Sequence, residues 1–144
     1  MTDVRRLEPR DRQAWQELFA QYNRFYRASV PDQVRDMNFD RLCDGDALVG
    51  IVAVDEADRP IGLMHLVFHP STWSGNGYCY IEDLFVDRAR RGSNVARSLF
   101  AEAYRIADAR KADQVYWQTQ EFNAPARSLY DTVGQRTSFI VYRR

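Results

Sequence analysis

Three groups of residues in this chain have types and spacings that could do chemistry. The first is the run Asp87-Arg-Ala-Arg-Arg-Gly-Ser-Asn-Val-Ala96, which falls between an apolar strand-like segment and a strongly helical one. A loop at such a junction aims free backbone N–H groups and the positive end of the helix dipole at one spot, which suits phosphate oxygens. Gly92 and Ser93 keep the backbone approachable, and Arg88, Arg90 and Arg91 add charge. The spacing fits neither the Walker loop nor the dinucleotide fingerprint, and taken alone the junction also reads as a solvated turn. The second group is Glu82 with Asp83, set among apolar residues on a strand expected to be central. Desolvation there raises a carboxyl pKa toward the range of a general base, although a paired structural carboxylate fits the same position. Neighbours on a regular strand point to opposite faces, so only one of the two can face a given cleft unless a bulge intervenes. The third group is Asp32, Asp36 and Asp40, spaced every four residues. On a helix they line one face, which either draws in a cation or is simply solvated.

The elements that must position these groups follow from periodicity. Residues 4–7 read as a short strand, and Pro9 with Asp11 start a helix whose stripe is Trp15, Leu18, Phe19, Tyr22, Phe25 and Tyr26. Pro31 and Asp32 start a second, shorter helix. The β-branched run 48–54 is a buried strand, 55–60 is turn chemistry and 61–68 returns as its hairpin partner. A polar loop over 70–77 leads to the strand 78–86. The clearest helix is 95–110, with Val95, Leu99, Ala103 and Ile106 in one stripe. A strand at 114–118 follows, then a short helix capped by Asn123 and ended by Gly134, and a closing strand at 138–142. The order predicts an α/β (α+β) fold, an antiparallel meander leading into a strand–helix–strand unit.

The bulk numbers bound the answer. At 144 residues the chain is expected to be one domain, 1–144, and 45% hydrophobic residues suit a packed core. Twenty basic residues balance twenty acidic ones, which gives no field for nucleic acid. Only Lys111 among the basic residues is lysine, which reads as compositional bias or, more weakly, as a lysine-modifying enzyme that offers itself few targets. No apolar run approaches the ~20 residues of a membrane span, and the first residues lack a signal-peptide core. Cys43 and Cys79, without metal-ligand spacing, read as free thiols in a reducing, cytoplasmic setting. His65 and His69 make no metal site and read as packing or surface residues.

The strand Tyr80-Ile-Glu-Asp-Leu-Phe-Val-Asp87, the arginine-rich turn and Val95-Ala-Arg-Ser-Leu99 resemble the acetyl-CoA core of the GNAT superfamily of N-acetyltransferases. Asn123-Ala-Pro-Ala-Arg-Ser-Leu-Tyr130 followed by Gly134 resembles that family's second signature. The resemblance is good from about residue 48 to 141, and the strand is similar to the branch with histone and polyamine acetyltransferases. It implies a mostly antiparallel sheet of six to seven strands flanked by about four helices. It also implies acetyl-CoA as co-substrate, with no metal. Arg91, Gly92, Ser93, Asn94, Val95 and Ala96 would cradle the pyrophosphate, Asn94 replacing the usual glycine. Asparagine tolerates the left-handed backbone that the glycine would supply. Leu84, Phe85 and Val86 would offer backbone groups to the pantetheine arm, and Asn123 a further contact. The analogy favours Glu82 over Asp83 as base and makes Tyr130 the acid that meets the CoA thiolate. The acceptor implied is a primary amine, polyamine-like, amino-acid-like or a protein lysine, with the acidic helix flanking its cleft. Nucleic acid and membrane are not expected partners. Relatives often dimerise through the C-terminal strand, so a homodimer is expected. The competing reading is a non-catalytic acyl-CoA sensor.

Overall fold

The computed structural model describes residues 2–92 and 94–144. Its strands are β1 (Asp3–Arg6), β2 (Leu48–Val54), β3 (Pro60–Ser71), β4 (Ser74–Val86) and β5 (Gln114–Tyr116). Its helices are α1 (Arg12–Phe25), α2 (Asp32–Asp44), α3 (Val95–Ala109) and α4 (Ala124–Val133). The strands form one sheet in the order β1-β2-β3-β4-β5, antiparallel throughout except for the parallel β4–β5 pair. That is the mixed, mostly antiparallel architecture expected, with four helices.

Each face of the sheet has its own core. Val49, Ile51, Met64, Leu66, Cys79 and Ile81 pack under α3, and Val52, Val54, Leu63 and Phe85 pack under Trp15, Leu18, Phe39 and Leu42 of α1 and α2. Burial on both faces is why β2 carries an unbroken apolar run rather than an alternating one.

Three expectations are corrected. The polar loop over 70–77 is mostly strand. β3 and β4 run on to a Ser71–Ser74 pairing, and Ser74 Oγ accepts from the backbone N–H of Gly77 at 2.7 Å, so a side chain supplies bonds the sequence seemed to lack. The strand at 138–142 does not form among the described residues, and the sheet has five strands rather than six to seven. Phe139, Ile140, Val141 and Tyr142 have strand-type side chains but are 72–90% exposed. β propensity needs an edge to pair with, and within one chain the tail finds none. Gly134 ends α4 for another reason than a left-handed cap. Its φ is −152°, and a Cβ there would stand 2.5 Å from the Trp117 ring. The close approach seats α4 against the sheet.

Candidate active site

The cleft opens where β4 outruns β5. Their ladder stops at Tyr80–Tyr116, while β4 continues to Val86 paired on its β3 side. Past Tyr80 the chain at Trp117 turns toward α4, so β4 and α4 face each other across a gap.

At the far end of this gap lies a cavity of about 300 Å³ lined by Val86, Arg91, Gly92, Asn94, Val95, Ala96, Arg97, Pro125 and Leu129. It sits at the N-terminus of α3. Asn94 takes the left-handed conformation expected of it, φ 65°, and its side chain makes no capping bond to the first helical turn. The first amides of a helix have no intrahelical partner, so they are available to an anion. Gly92 is also left-handed, φ 86°, with open space where a side chain would stand. Arg91 Nε donates to Val86 O at 3.2 Å, and Arg97 donates to Thr132 Oγ1 at 3.1 Å, tying α3 to α4. These features fit a bound phosphate group. Ser93 lies outside the described residues. Asn123 occupies the α4 N-cap position, but its side chain caps nothing and instead donates to Thr119 Oγ1 at 3.5 Å, away from the cavity lining.

Nearer the sheet centre, a cavity of about 30 Å³ is lined by Tyr22, Tyr26, Ile81, Glu82, Asp83, Leu84, Phe100, Trp117, Gln118, Thr119 and Tyr130. The two acidic neighbours share it because of a bulge. His65 pairs with Asp83 and Leu66 with Ile81, leaving Glu82 as the extra residue. A bulge turns successive side chains to one side of the strand. Tyr130 reaches the same cavity from α4, its ring against Phe100 and Trp117 with centroids 5.8 and 5.7 Å away.

The environments separate the two acids. Asp83 receives the Nδ1–H of His65 at 2.8 Å and the Tyr22 hydroxyl. His65 is buried, and its Nε2 accepts the indole N–H of Trp15 at 2.9 Å, which puts its proton on Nδ1. Asp83 is therefore a fixed, donor-satisfied carboxylate. Glu82 is exposed at the mouth of the cleft, yet partial desolvation, then the Asp83 charge, push its carboxyl above the ordinary value. Burial likewise raises the Tyr130 hydroxyl, so it keeps its proton.

Sequence reasoning missed the Trp15–His65–Asp83 chain. Its only signal was that Trp15 and His65 are amphipathic on apolar elements, and their meeting depends on a register that the sequence does not state. Of the two readings of the acidic face of α2, the solvated one fits the structure. Asp36 and Asp40 pair with Arg12, and Asp32 and Asp36 with Arg35, so the face carries little free charge toward a cationic acceptor.

A family model for the Acetyltransferase (GNAT) family matches residues 15–134, spanning both cavities. The chain belongs to the GNAT acetyltransferase family. It is accordingly an acetyl-CoA-dependent N-acetyltransferase. It is 33% identical over 143 residues to the D-amino-acid N-acetyltransferase HPA3 of Saccharomyces cerevisiae, covering 98% of this chain and 89% of that one. It is 30% identical over 76 residues to the thialysine N-epsilon-acetyltransferase of Caenorhabditis elegans, covering 53% and 47%. Its fold is similar to that of AAC(6')-Iy bound to a CoA-containing bisubstrate analogue, with a TM-score of 0.83 and 16% identity, covering 100% and 97%. Among the described residues no His, Cys, Asp and Glu cluster could hold a metal, and no helix is long and apolar enough to cross a membrane.

The bulge yields a pH prediction. A base whose pKa is raised is active above that value and is lost as pH falls through it. Asp83 contributes to the raised value of Glu82, so Asp83→Asn lowers it and, with Glu82 as the base, moves the acid limb of kcat/KM to lower pH. The Asn carboxamide oxygen still accepts from His65. A limb that stays in place contradicts this, and a limb that disappears gives the base role to Asp83.

Proposed function

We propose that this protein acetylates the primary amine of a small molecule of amino-acid type, with Glu82 as general base and Tyr130 as general acid. The observation that carries this reading is the bulge, which sets Glu82 beside Tyr130 in one cavity at the head of a phosphate-suited cleft. Leu84, Phe85 and Val86 lie on the stretch of β4 that faces the gap, where backbone groups can pair with a pantetheine arm, while Arg91, Gly92, Asn94, Val95 and Ala96 hold the pyrophosphate end. An alkyl ammonium has a pKa near 10.4, so Glu82 takes a proton, directly or through water, before nitrogen can attack. The C–N bond forms at the thioester carbon and the C–S bond breaks; Tyr130 gives its proton to the departing thiolate and regains one when the nitrogen, cationic after its attack, sheds its second proton, directly or through water. The amino-acid type rests on the full-length similarity to HPA3.

The test is release of CoA thiol from acetyl-CoA against amino acids, polyamines, aminoglycosides and lysine peptides. Release with amino acids above the blank is expected. CoA binding without release on any acceptor would turn the reading to a sensor module, and preference for a lysine peptide would make the substrate a protein.

The same reading includes a homodimer. The 137–144 tail is apolar and exposed, and β5 is a three-residue edge strand, so a second copy's tail would cover one and extend the other. Sedimentation should give twice the 16.9 kDa chain mass, and removal of residues 137–144 should give the single mass. A monomer with the tail present contradicts the dimer.

A further inference from the structure

The cavity that Glu82, Asp83 and Tyr130 line is about 30 Å³, room for a group of the size of an amine or a water or two. The reacting amine fits there, and the rest of an acceptor must lie on the adjoining surface. That surface is a strip of rings on the α1 side of the sheet. His65, Val67 and His69 alternate along β3 onto this face, and Val67 and His69 pair with Tyr80 and Tyr78. Tyr80 in turn pairs with Tyr116 of β5, their ring centroids 4.8 Å apart and tilted by 40°.

The polar ends of Tyr80, Tyr116 and His69 are already occupied. Gln118, a wall residue of the cavity, donates its Nε2–H to the Tyr80 hydroxyl at 2.8 Å. The Tyr116 hydroxyl donates to His69 Nε2 at 2.7 Å, and His69 Nδ1–H donates to the Pro70 carbonyl at 2.8 Å. With hydroxyls engaged in the ring planes and the side chains half-buried, the groups left to a ligand are π faces. The strip is continuous with the cavity through Gln118 and through Glu82, two residues from Tyr80 on the same strand. None of the residues named on this strip is a carboxylate that could receive a second ammonium. The two acids of the cavity lining are Glu82, where the amine reacts, and Asp83, taken by His65 and Tyr22.

Building on the acetyl-transfer reading, we propose that Tyr80 and Tyr116, held by Gln118 and His69, form the acceptor side-chain subsite and select amines carrying a planar aromatic group. Offset or tilted rings at this spacing attract an added ring beyond simple area burial.

Phenylalanine and alanine share an amine and a carboxylate and differ by the ring, so their ratio isolates the subsite. With each enantiomer as probe, kcat/KM for phenylalanine should exceed that for alanine by about tenfold. Tyr80→Ala should raise KM for phenylalanine with kcat little changed, because the ring is bound equally in ground and transition states. Tyr80→Phe, which keeps the ring face, should retain the preference. Equal use of phenylalanine and alanine overturns the subsite while transfer itself stands, as does a preference for spermidine that Tyr80→Ala leaves intact. Absence of transfer to every amine overturns the acetyl-transfer reading and the subsite with it.

Discussion

Replacing Glu82 with Gln should lower kcat by about 100-fold or more, the usual weight of a positioned general base. KM for acetyl-CoA should stay within about twofold, since Glu82 lines the small cavity and not the one at the α3 N-terminus. The remaining activity should rise steeply with pH, because only amine already deprotonated in solution can then react. Gln keeps the shape of the bulged residue, so the fold is expected to survive. The two acids make this a sharp comparison. Asp83 already accepts from His65 and Tyr22, which fixes its carboxyl in place. Glu82 has neither donor, and both desolvation and the Asp83 charge favour its protonated form. If Glu82→Gln changed kcat less than Asp83→Asn, this division of roles would be wrong.

Tyr130→Phe should lower kcat by about 10- to 100-fold, less than the loss at Glu82, because a thiolate leaves readily even without a proton. The substitution removes one oxygen and leaves the ring packed between Phe100 and Trp117, so the melting temperature and CoA affinity should barely move. Burial keeps the hydroxyl protonated across the working pH range, so the wild-type basic limb should not report its ionisation. Equal losses of CoA affinity and turnover would instead make Tyr130 a packing residue.

The sequence showed these two residues and hid what surrounds them. The strand 78–86, the α3 stripe and the 123–134 segment were legible because each is locally consistent in period, capping and composition. The left-handed turn before α3 was legible through Asn94, a residue type that tolerates it. Register was not. Whether Glu82 and Asp83 share a cavity depends on one extra residue of β4, Glu82 itself, opposite the His65–Leu66 step of β3, and no local propensity marks a bulge. The Trp15–His65 bond joins residues fifty positions apart, so it too follows from register. The acidic spacing on α2 was visible, but its neutralisation needed Arg12 from another helix. The tail at 138–142 has the composition of a strand and no partner within the chain, where pattern reasoning overreached.

The central claim is that this cleft moves an acetyl group onto an amine. The direct measurement is mass spectrometry of the acceptor after incubation of the protein with acetyl-CoA and phenylalanine. An N-acetylated product should accumulate with enzyme concentration and fall about 100-fold with Glu82→Gln. Unmodified phenylalanine, and equally unmodified alanine, spermidine and lysine peptide, beside intact acetyl-CoA under conditions where CoA binds, would contradict that claim.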